Sequence, residues 1–275
     1  TNSVVRSTTL DIAGTTIDYD GGVTNLGIVS ADIALPNDFD PTSGSGRVCW
    51  IGIYSLTEPA DNDVYRIDDD DARALGVGPG TGISSVSYSG TMDEGVLVAG
   101  EFSDSRVNKT EEPDKNDPDW SDSGSPTGTG ATIARFDSDY ADSVTIYAGT
   151  TGGSSAFCIS VDGLAYFGES LINNGVANNV VAIDDIAITP DGETIFMATN
   201  DGAANFSLWR SSMPSTGTSW SRISEKTQPA GFVNTMMTLN PDYDNDPALY
   251  WAVAGAPGTA ENIYVSQNGG NSFTT

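Results

Sequence analysis

The sequence predicts an all-β protein, a β-propeller built of four-stranded blades about 50 residues long. One observation is a turn followed by an apolar strand, which recurs five times. With Pro36, Gly90, Ser138, Pro190 and Pro241 as equivalent points, the steps are 54, 48, 52 and 51 residues. A second is a large aromatic that closes the later copies. Trp120, Phe167, Trp220 and Phe273 stand 30, 29, 30 and 32 residues after the preceding anchor. The third is composition: Gly, Ser, Thr and Asn are abundant and long helix-forming stretches are missing, as in a chain of short strands and tight turns.

Each blade can be justified in turn. Residues 1–30 hold strand-like runs but fall short of a full unit, so they are expected to supply strands of a closing or preceding blade. The first blade, 31–82, opens on "SADIAL" and continues through "RVCWIGIYS"; "VYRIDDDDARALG" follows, with Leu75 where the aromatic would stand. The second, 83–130, carries "ISSVSY" and "GVLVAG" and ends on Trp120 beside a long polar hairpin tip. The third, 131–181, reads "ATIARF", "VTIYAG" and "SVDGLAYF". The fourth, 182–231, reads "IDDIAI" and "TIFMAT" before Trp220. The fifth, 232–275, has "NTMMTL", "ALYWAVA" and the closing "IYVSQNGGNSFTT", a third strand and its turn without a fourth strand. About five blades are readable, and the open last blade suggests part of a larger ring. The apolar runs fit inner strands covered on both sides, and the closing aromatics are expected to fill the gap between adjacent sheets.

The turn before the closing aromatic resembles the repeat of the Asp-box (bacterial neuraminidase repeat) β-propellers, Ser-x-Asp-x-Gly-x-Thr-Trp. Ser266, Asn268, Gly270, Ser272 and Phe273 match it with conservative swaps. Ser160, Asp162 and Phe167 keep its first half and its aromatic, with Leu164 in the glycine place. Gly217, Ser219 and Trp220 keep its end, and Trp120 the aromatic alone. Through its period the resemblance spans residues 31 to 275. It implies turns in which Asp162 and Asn268 accept backbone N–H bonds and Gly270 takes a positive φ. Sialidases of this group bind a substrate carboxylate with three arginines, one in an Arg-Ile-Pro motif. The eight arginines here occupy dissimilar places in the repeat and that motif is missing, which argues against sialidase activity. Xyloglucan-cleaving enzymes are built from similar repeats and need only two suitably spaced carboxylates.

Charge narrows the partners. Asp and Glu number 38 against 11 Lys and Arg, a formal net charge of −27 with pI near 4.1. No basic footprint exists for nucleic acid, and an anionic membrane surface would repel the chain. No apolar run is long enough for direct membrane insertion. The absence of histidine removes Ser-His-Asp and Cys-His chemistry and ordinary zinc sites. Cys49 and Cys158 lie in apolar runs and read as buried small hydrophobes.

Three further features are candidates for chemistry. Asp242, Asp244 and Asp246 alternate in a turn, as the early ligands of calcium loops do, and make Ca²⁺ the candidate ion. Asn108 and Asn205 head N-x-Ser/Thr tripeptides and are candidate glycosylation sites on an exported chain. No residue stands out as catalytic. The resulting expectation is an extracellular or cell-surface structural or binding module, a surface-layer or matrix component. Its partners would be other copies of itself or cell-surface proteins and glycans. The alternative is an extracellular glycoside hydrolase, sialidase- or xyloglucanase-like, using paired carboxylates.

Overall fold

The computed structural model describes residues 28–43, 46–69, 71–122, 125–164, 168–170, 182–202, 205–212, 219–227, 232–255 and 262–275, with the short strands Val5–Arg6, Thr15–Thr16 and Asp18–Tyr19. The fold is all-β, with sheets of three to five strands that follow one another as propeller blades do. Two compact units divide the chain, Thr1–Ser123 and Gly124–Thr275.

In the first unit, β1 (Val5–Arg6) and β2 (Thr15–Thr16) pair with each other. The first blade is β4 (Ile28–Ala34), β5 (Val48–Ser55), β6 (Val64–Asp68) and β7 (Asp71–Ala74), joined antiparallel in chain order. The two-residue strand β3 (Asp18–Tyr19) adds to its outer edge, parallel to β7. That described part of the N-terminal segment therefore joins the first blade itself. The second blade is β8 (Ile83–Gly90), β9 (Gly95–Glu101), β10 (Val107–Thr110) and β11 (Ser121–Asp122).

The second unit repeats the plan. Its first sheet is β12 (Thr132–Phe136), β13 (Ile146–Thr150), β14 (Phe157–Ser160) and β15 (Gly168–Ser170), with a one-turn helix α1 (Tyr140–Ser143) between β12 and β13. The next is β16 (Ala182–Ile188), β17 (Ile195–Asn200), β18 (Asn205–Ser211) and β19 (Ser221–Thr227). The last has three strands, β20 (Phe232–Leu239), β21 (Leu249–Gly255) and β22 (Asn262–Ser266). Second strands such as β5, β13 and β17 are buried along nearly their whole length, so branched and aromatic side chains serve both faces.

Within each unit, one residue of each second strand must be small where the next blade approaches. Gly52 pairs with Asp32, Gly149 with Ile133 and Ala198 with Asp185, so the three share one register. A Cβ on Gly52 would overlap Ile83, and one on Gly149 would overlap Ile183 Cγ2 and stand 3.0 Å from its Cβ. Gly149→Ala should therefore cost about 2 kcal/mol by forcing the inner strand of the next blade outward. Urea denaturation would report it as a lower midpoint at constant slope; an unchanged midpoint would contradict the close approach.

The closing aromatics lie where adjacent sheets meet. Trp120 packs on a cluster drawn from the first two blades, including Trp50, Leu75, Ile83 and Leu97, and its indole N–H donates to the Leu75 carbonyl at 2.9 Å. Leu75, standing in the aromatic's place, is buried in that same cluster. Trp220 meets Phe157 edge-on at 4.9 Å among residues of β13, β14, β16 and β17. Phe273 meets Trp251 edge-on at 6.1 Å in a cluster that also takes Phe196 and Leu208. These three rings are half-buried, and the part of each removed from water contributes on the order of 2 kcal/mol. Phe167 lies outside the described residues.

Candidate functional site

The turn residues make local bonds. Ser160 Oγ donates to Asp162 Oδ1 at 2.8 Å and accepts from the Leu164 N–H at 3.0 Å. Leu164, in the glycine place, has φ 124°. Ser266 Oγ donates to Asn268 Oδ1 at 2.9 Å and accepts from the Gly270 N–H at 2.8 Å, and the Ser272 N–H donates to Asn268 Oδ1 at 2.9 Å. Gly270 has φ 83°. These side chains spend their polar atoms on their own hairpins.

The loop proposed for Ca²⁺ does not bring its three carboxylates together. Asp242 Oδ1 accepts from the Asn245 amide at 2.7 Å, and Asp246 Oδ2 from the Asn240 amide at 2.8 Å. No cluster of three acidic or cysteine side chains suited to a metal occurs among the described residues. The Asn108 sequon is corrected as a glycan site. Asn108 is buried in β10 and its amide donates to Glu101 at 2.9 Å, which leaves no room for a sugar. Asn205 gives its amide to Asp201 at 2.6 Å and accepts from the Thr227 hydroxyl at 3.0 Å. Both cysteines are free thiols; Cys158 is buried, and burial pushes the Cys49 thiol up to about 11.

A different group emerges at one end of the blades, where the first strand starts and the second ends. Each sheet has buried polar residues at that end of its own strands: Ser55 and Asn62 in the first blade, Ser84 and Asn108 in the second, Thr132 and Thr150 in the third. In the fourth blade the place is taken by acids. The strand β16 reads Ala-Ile-Asp-Asp-Ile-Ala-Ile, and its ladder with β17 skips Asp184 between Ile183 and Asp185. That bulge breaks the simple alternation, so two consecutive carboxylates are accommodated in an otherwise apolar strand.

The two acids have different tasks. Asp185 is a clamp: Oδ1 accepts from the Ile186 N–H at 2.9 Å and from Arg135 Nη2 at 3.2 Å, and Oδ2 accepts from the Met237 N–H at 2.8 Å. Asp32 makes the matching pair of bonds in the first unit, to the N–H groups of Ile33 and Val86, both at 3.0 Å. A carboxylate at this register thus ties the inner strand of one blade to that of the next. Among the described residues Asp184 makes no such bond to the next blade. Its two oxygens accept from one amide, Asn200 Nδ2, at 2.9 and 2.8 Å. Asn200 is itself oriented, because its Oδ1 accepts from the Gly202 N–H at 2.9 Å. Burial pushes the Asp184 carboxyl up to about 7; the Asn200 amide opposes the rise and the charge of Asp185 adds to it. Asp184 nevertheless keeps some exposed surface. A partly accessible carboxyl that exchanges its proton near neutrality can act as a general acid.

Sequence reasoning passed over this acid because "IDDIAI" reads there only as the short run that opens the fourth blade. The signal was present: two charges inside a run that packs on both faces.

No family model matches the sequence, and no curated protein matches it. Solved structures do share the fold. Puromycin hydrolase superposes with a TM-score of 0.56 at 12% identity, over 88% of this chain and 38% of the other. The periplasmic gluconolactonase of Pseudomonas aeruginosa gives 0.53 at 13%, over 89% and 68%. A GH74 enzyme from Niastella koreensis gives 0.51 at 16%, over 88% and 30%. The chain therefore spans under a third of that GH74 enzyme. These likenesses establish the β-propeller. They also overturn the expectation of a non-enzymatic surface module, since the structures sharing the fold are predominantly enzymes. Acidity and scarcity of lysine describe the chain's relation to solvent, and the absence of histidine leaves carboxylate chemistry untouched.

Proposed function

We propose that this chain is a β-propeller hydrolase, or the propeller part of one, that cleaves an uncharged glycan outside the cell with Asp184 as the general acid. The feature that carries the reading is the carboxyl of Asp184, partly exposed on the first strand of its blade, held by the Asn200 amide and pushed by burial up to about 7. Glycosidic bond cleavage needs a carboxylic acid to protonate the departing oxygen while a second carboxylate attacks or activates water. Asp184 has the protonation state for the first task. Asp185 supplies a fixed negative charge beside it, and Asn200 holds the carboxyl in one orientation. The net charge of −27 disfavours phosphorylated, sulfated or carboxylated substrates, which leaves neutral polysaccharides. The likeness in fold to a GH74 enzyme supports a glycan-cleaving reading.

The test is turnover on a panel of neutral polysaccharides, including xyloglucan and mixed-linkage glucan. Asp184→Asn should lower kcat by about 10²–10⁴-fold, the usual worth of a general acid. A substrate that carries its own good leaving group should recover most of that loss in the variant. Wild-type turnover that Asp184→Asn leaves unchanged would remove Asp184 from the chemistry.

A further inference from the structure

The Asn200 amide has two ways to face Asp184, and the choice between them is made outside its strand. Its Nδ2 donates to both carboxyl oxygens, while its Oδ1 accepts from the Gly202 N–H at 2.9 Å. A backbone N–H can only donate, so that bond keeps the oxygen end of the amide turned from the acid and the donor end toward it. Gly202, at φ 71°, lies in the turn between β17 and β18.

A second pair of side chains holds this turn. Asp201 Oδ1 accepts from the Asn205 N–H at 3.0 Å, and Oδ2 from the Asn205 side-chain amide at 2.6 Å. The Asp201 N–H donates to the Asn205 carbonyl at 3.2 Å. Asn205 Oδ1 accepts in turn from the hydroxyl of Thr227, its partner across β18 and β19, at 3.0 Å. A chain of polar contacts thus runs from the exposed end of the outer strand to the carboxyl of Asp184.

We propose that Asp201 and Asn205 are positioning residues for Asp184, their clamp keeping the Gly202 N–H in place and the Asn200 amide donor-first. The consequence is chemical. A donor facing the carboxyl favours its ionised form, whereas an amide turned to present its oxygen would favour the protonated form and retain the proton. A general acid must release its proton, and the clamp keeps Asp184 able to do so. Apart from Asp201 in the clamp, the charged groups around it are Asp185 beside it and Arg135, which is bonded to Asp185. The strands packed against β16, namely β12, β13, β17 and β20, carry Arg135 as their one charged residue. The bearing of the clamp on turnover rests on the catalytic reading of Asp184; its bearing on the carboxyl does not.

Carboxyl carbon NMR of Asp184 in the intact chain, alongside turnover on a neutral polysaccharide, tests it. Asn205→Ala removes the side-chain links without changing any charge and should raise the Asp184 midpoint by about one pH unit. The pH above which turnover is lost should rise with it. Asn205→Ser keeps a donor for Asp201 and should return most of the shift. Thr227→Val, at an exposed position, should give a smaller rise in the same direction with circular dichroism unchanged. A midpoint unmoved by Asn205→Ala, or by Thr227→Val should the alanine variant not fold, means that the clamp serves stability alone and overturns the proposal. A midpoint that moves while turnover is indifferent to Asp184→Asn keeps the clamp and removes the hydrolase reading instead.

Discussion

Asp185→Ala is expected to remove about 3 kcal/mol of folding stability, the scale found when one partner of a buried, hydrogen-bonded ion pair is deleted. The Asp185 side chain is 12% exposed and its partner Arg135 21% exposed, at 3.2 Å. Alanine leaves the Met237 N–H without its acceptor and Arg135 without its carboxylate. An orphaned buried donor costs more than the bond itself contributes. Asp185→Asn retains one carbonyl oxygen and should cost about half as much. Asp32→Ala removes the corresponding bonds at a more open position, so its cost should be about 1 kcal/mol. Equilibrium denaturation of the three variants checks the order. Equal losses for Asp32→Ala and Asp185→Ala would show that burial and the arginine do not matter.

The second large effect is a pH dependence of stability that belongs to Asp184. Its carboxyl rises from the ordinary 3.8 to about 7 in the folded chain. Between those values the folded state holds a proton that the unfolded state has released, so stability falls as pH increases. The contribution is fully present below about pH 4 and gone once pH has passed through about 7. The full rise from 3.8 to about 7 corresponds to on the order of 4 kcal/mol. Asp184→Asn cannot ionise, so the wild type should lose stability relative to the variant across that window and run parallel to it above. The difference between the two curves matters, because the other acids contribute similarly to both. Parallel curves throughout would mean that Asp184 is ionised in both states.

Much of the architecture was legible from spacing. The anchors at Pro36, Gly90, Ser138, Pro190 and Pro241 each lie just after, or at the end of, the first strand of a blade, and Trp120, Trp220 and Phe273 pack where successive sheets meet. Periodicity of this kind reflects a repeated packing problem, which leaves a repeated solution. What the repeat does not encode stayed hidden. The parallel pairing of Asp18–Tyr19 with the outer edge of the first blade involves two residues without pattern. The tripeptide at Asn108 says nothing of burial, which comes from β10 lying inside its sheet. Asp184 was hidden because its character comes from a bulge and from Asn200 on the neighbouring strand, a relation that spacing along one strand does not show. Asp185 could have been anticipated, since "SADIAL" and "IDDIAI" place an acid at one register of the repeat.

Carboxyl carbon NMR of the Asp184 side chain, assigned by comparison with Asp184→Asn, measures the central feature directly. Its resonance should titrate with a midpoint near 7, and the acid limb of turnover should follow the same proton. A midpoint near 4 would mean that the carboxyl is already ionised at neutral pH, and the assignment of a general acid to this strand would be wrong.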